Sequence, residues 1–417
     1  MYRHGGSPRA RQIAALLAAF SWRVAEARAE PAVARDGAPP LAALEVSVAE
    51  AAILREPSSD AARRGSAPSG AVLPVFEERT GPGCRGRWLA VAPEAFVCED
   101  ATRVTELRAE PLDARELLTP DGLPYRYYFV SKDGSFGYDA LETAEQSVPA
   151  TQLQPGFGVA LRRTAHQSGG EAYGLTSHGF WVPLRDLAPA SPPAFRGSGW
   201  NDSVAWVIRD GAPQFSAPGK RLRGRIVERL TTVSVSEERR VGGISYSRVG
   251  ETSWLRTDDL RRPLRATPPP EILPLERWLD VDLARQTLVA YLGETPLFAT
   301  LVSTGRGARG TETSTPPGTF RIWVKLRTSD MDNTDDAGAR ENYAIAAVPW
   351  VMYFERGYGL HGAFWHRRFG EVKSHGCVNL SPSDAEHLFH WTSPRVYPGW
   401  SAALPSPHDR GTLIRVH

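Results

Sequence analysis

The chain lacks any run of about 20 apolar residues, which argues against a transmembrane span. It also lacks charge bias. Its 49 Lys and Arg face 47 Asp and Glu, so no general field exists for nucleic acid or an anionic membrane. Cysteine is scarce, with three in 417 residues. Neither H-E-x-x-H nor a C-x-x-C pair occurs, so the common zinc signatures are missing. Turn formers, by contrast, are plentiful. The 38 Gly and 34 Pro favour short strands and many turns over long helices. A length of 417 residues is enough for two to four domains.

The N-terminus reads as a secretory signal over residues 1–29. Arg3, Arg9 and Arg11 precede the apolar stretch Ile13 to Trp22, and Ala27-Arg28-Ala29 offers a cleavage site. Arg23 and Glu26 interrupt that pattern, and an unstructured leader is the alternative. No Cys follows the apolar stretch, so no lipid anchor is expected there. Cysteine usage fits export. Cys84 and Cys98 lie fourteen apart in strand-like sequence and suit one disulfide, which leaves Cys377 as a free thiol. Two unrelated buried thiols are the other reading of that pair.

After an Ala/Pro-rich linker over 30–43, brief runs of period two suggest strands. They are Leu54 to Ser58, Ala71 to Phe76 and Trp88 to Val91, ending at Phe96-Val97-Cys98. Their order over 44–105 resembles a bacterial SH3-like (SH3b) barrel. Two more β modules are expected at 120–190 and 200–262. The first closes on Phe180 to Leu187 and the second on Ser253 to Leu260, both reading as aromatic, strand, Asp, Leu. A proline-rich spacer over 263–274 precedes the last segment, 275–417. There, strand patterns at Trp278–Val281, Thr287–Leu292, Leu297–Ser303 and Gly318–Val324 predict a β-sandwich. One helix is expected after Ser381-Pro382-Ser383-Asp384, with Ala385, Leu388 and Phe389 on its apolar face.

The chemistry concentrates near the end. Ser374-His375-Gly376-Cys377-Val378-Asn379 follows Leu360-His361-Gly362, with twelve residues between His361 and Ser374. A Cys in a Gly turn beside imidazoles is what a thiolate nucleophile needs. The spacer is too long for local helix geometry, so the fold must join the two blocks. The flanks Pro349 to Phe354, Leu380 to Ala385, Ser303-Thr304-Gly305 and Thr315 to Phe320 agree in order with a known pattern. Together, from Arg277 to His417, these blocks resemble the L,D-transpeptidases of the YkuD family. One departure is Asn379, where many relatives carry Arg.

The resemblance implies a mainly β fold, with a YkuD-type sandwich behind SH3-like modules. It implies Cys377 as nucleophile and His361 as general base, oriented by the Gly362 carbonyl. It places His375 near the oxyanion and substrate, with the amides of Gly376 and Cys377 as oxyanion donors. Ser374 would organise the turn. Tyr353, Trp365, Gly362 and Asn379 are the candidates for substrate contact. Arg367, Arg368 and Lys373 either bind a carboxylate or form a solvated basic loop. The implied partner is a peptidoglycan stem peptide, in the periplasm or cell wall, with glycan or peptide held by the β modules. No cofactor and no metal is implied. Carbapenems are the implied acylating inhibitors. A hydrolase with the same Cys, and a non-catalytic wall-binding protein, are the alternatives.

Three patterns compete. Gly305-Arg306-Gly307-Ala308-Arg309-Gly310 fits G-x-G-x-x-G, but the loop-like Thr311 to Pro317 follows where a dinucleotide site needs a helix. Ser177-His178-Gly179-Phe180 imitates the catalytic block without its Cys. His361, His366, His375, Cys377, His387 and His390 form a His/Cys set that a zinc ion could use.

Overall fold

The computed structural model describes residues 40–106, 122–166, 170–334 and 342–417. The signal expected at 1–29 lies outside them, as does most of the linker. The fold is mainly β, with one helix of more than five residues among those described.

The first module runs from the strand Ala42–Val46 to the strand Thr102–Thr105. Ala42–Val46 is flanked by Val72–Val75 and Thr102–Thr105. Glu50–Leu54 pairs with Arg63–Pro68 and Ala95–Cys98. Glu50–Leu54 alternates exposed and buried positions, which sends Ala51 and Ile53 inward. The run Leu54 to Ser58 is not a strand as expected. The strand stops at Leu54 and a turn follows, where Pro57 has no N–H for a ladder. Cys84 and Cys98 form a disulfide.

The second and third segments end alike. Trp181–Pro183 passes through a 3₁₀ turn, Leu184–Asp186, into Leu187–Pro189. Ser253–Arg256 passes through Thr257–Asp259 into Leu260–Arg261. The first module shows the same device, with Ala95–Cys98, Glu99–Ala101 and Thr102–Thr105. Only two of these three endings were legible as similar in the sequence.

From Arg277 two sheets face each other. One holds Thr295–Leu301, Thr287–Leu292, Arg277–Asp282, Leu413–Val416 and Gly318–Arg321, in that order. The other is built on Ala344–Glu355, which pairs with Val324–Asp332 on one side and Tyr358–Gly362 on the other. Leu279, Val281, Leu288, Trp350, Met352, Leu360, Val378 and Ile414 fill the space between them. The helix Pro382–Trp391 starts at Ser381, whose Oγ accepts from the Asp384 amide at 3.2 Å. Pro382 occupies the first turn, where no N–H is needed. Ala385, Leu388 and Phe389 pack into the same core.

The modules are not strung out from this sandwich. Ala402–Ala403, inside 275–417, pairs with both Val324–Asp332 and Arg63–Pro68. Trp400 and Ala403 lie in the core of the first module. The Tyr127 hydroxyl of the second module donates to the Ala347 carbonyl at 2.5 Å. Arg229 of the third module donates to the carbonyls of Arg367, at 3.0 Å, and Phe369. It also pairs with Glu371 at 2.9 Å. The chain between His361 and Cys377 is therefore held from outside the sandwich.

The disulfide closes a 14-residue separation within the first module. A cross-link of that span restricts the unfolded chain and is worth about 2–4 kcal/mol. Cys84→Ser is expected to lower the thermal midpoint of the full chain by several degrees. An unchanged midpoint in oxidised protein would show that the cross-link contributes nothing.

Candidate active site

The two His blocks meet through parallel pairing. Tyr358–Gly362 runs beside Val378–Leu380, with His361 opposite Asn379 and Leu360 opposite Val378. Paired residues on neighbouring strands share a face, and so do residues two apart. Cys377 is the residue just before Val378–Leu380, so the pairing brings its turn beside the strand that carries His361, and its Sγ lies 3.7 Å from the Gly357 carbonyl.

His361 is 2% exposed. Its Nδ1 lies 3.4 Å from the Gly362 carbonyl, to which it donates in the neutral tautomer. That leaves Nε2 with its lone pair. Burial pushes the His361 pKa down to about 4, against a small upward pull from the Gly362 carbonyl. The ring is stacked by Trp365 at 5.7 Å. Burial likewise pushes the Cys377 thiol up, with a weaker opposing effect from the Gly359 N–H. At neutral pH the resting pair is therefore thiol and neutral imidazole.

The Cys377 turn is tied internally. Ser374 Oγ donates to the Cys377 carbonyl at 2.5 Å and accepts from the Gly376 amide at 3.1 Å. This corrects one expectation. The Gly376 N–H, expected at the oxyanion, is used inside the turn. Gly376 has φ of +128°, and a Cβ there would sit 2.5 Å from the Tyr358 ring. Only glycine fits this position without displacing Tyr358.

The segment Gly305 to Thr315 cradles this turn. Gly305 bridges to Ser374, and the Arg306 amide donates to the Ser374 carbonyl at 3.0 Å. The Thr315 hydroxyl donates to the Gly376 carbonyl at 2.7 Å and accepts from the Gly305 amide at 2.8 Å. Residues 306–317 are turns and loop. A glycine pattern that imitates a phosphate loop here serves close backbone packing. A Cβ on Gly305 would lie 2.5 Å from the Thr313 carbonyl oxygen.

Other expected residues divide in two groups. Tyr353 is drawn to the site. It stacks on Trp323, and nearby Cys377 adds to the upward shift that burial gives its phenol. His375 is exposed, stacks on Tyr343 at 5.2 Å and accepts from Arg306 Nη2 at 2.6 Å. Gly362 and Asn379, expected at the substrate, are buried instead. Gly362 is packed between Pro349 and Pro382. Asn379 is 3% exposed, with Nδ2 held 3.0 Å from His366 Nε2 and its Oδ1 without a partner. Arg368 is committed to Asp210 and Glu371, at 3.2 and 3.6 Å.

Sequence reasoning missed Arg306, Thr315, Tyr343 and His366 as parts of the site. Thr315 lay in a recognised block without a role. Arg306 was hidden in the phosphate-loop imitation, and His366 in the zinc set. That set does not converge among the described residues. His387 packs on Phe298 and His390 on Trp350. The one metal-capable group of three there is Cys84, Cys98 and Asp100, and two of its members are the disulfide. The Ser177–Phe180 imitation docks elsewhere, with His178 Nε2 2.8 Å from Asp330.

The chain thus carries a β-sandwich with a buried His on one strand and a half-buried Cys in the turn that leads into its parallel neighbour. Residues 276–414 match the family model YkuD, the L,D-transpeptidase catalytic domain. That segment, about a third of the chain, belongs to the YkuD family. No curated protein matches the chain significantly. Among solved structures, an Enterococcus faecium L,D-transpeptidase mutant is 24% identical, with a TM-score of 0.26. The likeness covers 34% of this chain and 50% of that one. A Stackebrandtia nassauensis L,D-transpeptidase is 26% identical, with a TM-score of 0.24, over 34% of this chain and 55% of that one. A Mycobacterium smegmatis L,D-transpeptidase is 16% identical, with a TM-score of 0.28, over 53% of this chain and 99% of that one. The chain spans about half the length of the first two. Scores of this size leave the family-model match as the finding that places the domain.

Proposed function

We propose that this protein is a peptidoglycan L,D-transpeptidase using Cys377 as nucleophile and His361 as general base. The observation that supports the reading is the parallel pairing that brings the strand of a buried, neutral His361 beside the turn that carries Cys377. His361 Nε2 takes the thiol proton as sulfur attacks the carbonyl between the third, diamino residue and the terminal D-Ala of a stem tetrapeptide. A C–S bond forms, the C–N bond breaks, and D-Ala leaves with the proton from His361. An amine acceptor then attacks the thioester, losing its proton to His361, and the thiol is restored. With a second stem as acceptor the product is a 3→3 cross-link. The Cys377 amide, the member of the expected pair outside the Ser374–Gly376 bond, is the oxyanion donor in this reading. Tyr353 and Trp365, the second stacked on His361, flank the donor in this reading.

The three β segments are read as divergent SH3-like modules that hold the enzyme to wall glycan or peptide. Export to the periplasm or cell wall follows from the substrate and from the N-terminal pattern. No helix among the described residues is long and apolar enough to cross a membrane.

The test is a mass-spectrometric assay with a disaccharide-tetrapeptide. Loss of D-Ala with a dimer joined between third residues is the expected result. Loss of D-Ala with only tripeptide formed would make water the acceptor and the protein a hydrolase. No change in the substrate, in protein with Cys377 unmodified, would remove the enzyme reading.

A further inference from the structure

His375 has two positive neighbours, Arg306 and Lys373. Arg306 Nη2 donates to its Nε2 at 2.6 Å, and Lys373 lies two residues before it. Arg306 and Lys373 are both exposed. Among the described residues neither is paired with a carboxylate, whereas their neighbour Arg368 has two. Arg306 is not on a free loop tip. Its amide is bonded to the Ser374 carbonyl, and the preceding residue bridges to Ser374. Lys373 is fixed likewise, its amide donating to the Thr304 carbonyl at 2.9 Å. Both cations thus rise from backbone pinned to the turn that carries Cys377. Tyr343 stacks on the His375 ring at 5.2 Å.

An unpaired, positioned guanidinium beside a nucleophile is a ready anion site. We propose that Arg306 and Lys373, together with His375, form a subsite that takes a carboxylate of the acyl donor. The proposal rests on the reading of Cys377 as the group that receives the acyl chain. It supplies the cation that Asn379, buried against His366, does not. His375 then serves as the platform that aligns Arg306. Partial covering of the ring, followed by the positive Arg306 and Lys373, holds its own pKa down, so it accepts from Arg306 as a neutral ring. Stem peptides carry carboxylates at the terminal D-Ala and on the diamino residue, and either would suit the geometry.

The test separates the subsite from the reaction. Cys377 is the free thiol of the chain, so alkylation of native protein reads this site alone. Iodoacetate and iodoacetamide are similar in size and differ in charge. Both need the thiolate, so the ratio of their rates cancels any change in the thiol pKa. The ratio is expected to fall about tenfold in the double variant Arg306→Gln, Lys373→Gln, and to survive largely in Arg306→Lys. An unchanged ratio in the double variant overturns the subsite. The second arm uses tetrapeptide donors amidated at one carboxylate or the other. Arg306→Gln should raise KM for the free acid about tenfold, with kcat less affected, and leave KM for one of the two amides unmoved. That amide identifies the carboxylate bound. An equal rise for both amides and the free acid overturns carboxylate recognition. If wild-type protein turns over no stem peptide while the alkylation ratio behaves as expected, the transpeptidase reading falls and the anion site stands.

Discussion

Cys377→Ala is expected to abolish acyl transfer with the fold retained, and His361→Ala to reduce it by about 10²–10⁴. The reasoning begins with the charge state of the pair. Burial holds the Cys377 thiol above its usual range and drops the His361 pKa to about 4. A preformed thiolate–imidazolium pair would need the opposite shifts. The thiol must therefore lose its proton during attack, which makes His361 indispensable to the step. The sign of the pH dependence follows. The base is lost only as pH falls through about 4, so acylation should persist well below neutrality. Alkylation by iodoacetamide, which has no base built into it, should instead rise with pH through and beyond the ordinary thiol range. A flat alkylation rate between about pH 5 and 7 would reveal a resting ion pair and defeat this account. Retention of most acyl transfer in Cys377→Ala would remove the thioester altogether. Circular dichroism of both variants checks that loss of activity is not loss of fold.

What could be read in the sequence was the part encoded by residue type and short spacing. Gly376 announces a turn that no other residue fits, and its φ of +128° bears this out. Ser381-Pro382 announces a helix start, and the helix begins at Pro382. The alternating strands of the sandwich follow from period two. What escaped were contacts between distant segments. Nothing in Gly305 to Gly310 says that it packs under Ser374, because the reason is a backbone approach set by the sheet. Nothing in Asn379 says that it is buried, because His366, which holds it, comes from the loop anchored by Arg229. The Gly376 amide was assigned to the oxyanion because the local motif suggested it. The Ser374 hydroxyl that occupies it is equally local, yet its direction depends on the folded turn. The division at residue 275 was drawn on composition, since Pro263 to Pro270 reads as a spacer. Composition does not register that a later segment returns across that line.

That return sets the second large expectation. Trp400→Ala should destabilise the whole chain by about 3–5 kcal/mol, although Trp400 lies within the catalytic segment and is not in the cleft. Trp400 is 0% exposed and sits in the core formed by Leu44, Ile53, Leu73, Leu89 and Val97 of the first module. Arg64 lies over its ring, 5.8 Å from the centroid, and pairs with Asp409 at 2.5 Å. Gly65 is packed so closely on the indole that a Cβ would stand 2.6 Å away. Removing the indole leaves a cavity that this close-packed surround cannot collapse to fill, and it strips the cover from a buried charge. The strand Arg63–Pro68 would lose its partner Ala402–Ala403, and Val324–Asp332 pairs with that same segment. The damage therefore reaches the sheet that carries Tyr353. By the same argument, a fragment cut at residue 275 should be markedly less stable than the full chain, since it exposes Trp400, Ala403 and the Asp409 carboxylate at once. The measurement is urea unfolding of the full chain, the Trp400→Ala variant and the 275–417 fragment. A fragment as stable as the full chain would show that the first module is a passenger. A variant that unfolds in two separated steps would show that the contact joins two bodies without coupling their folding.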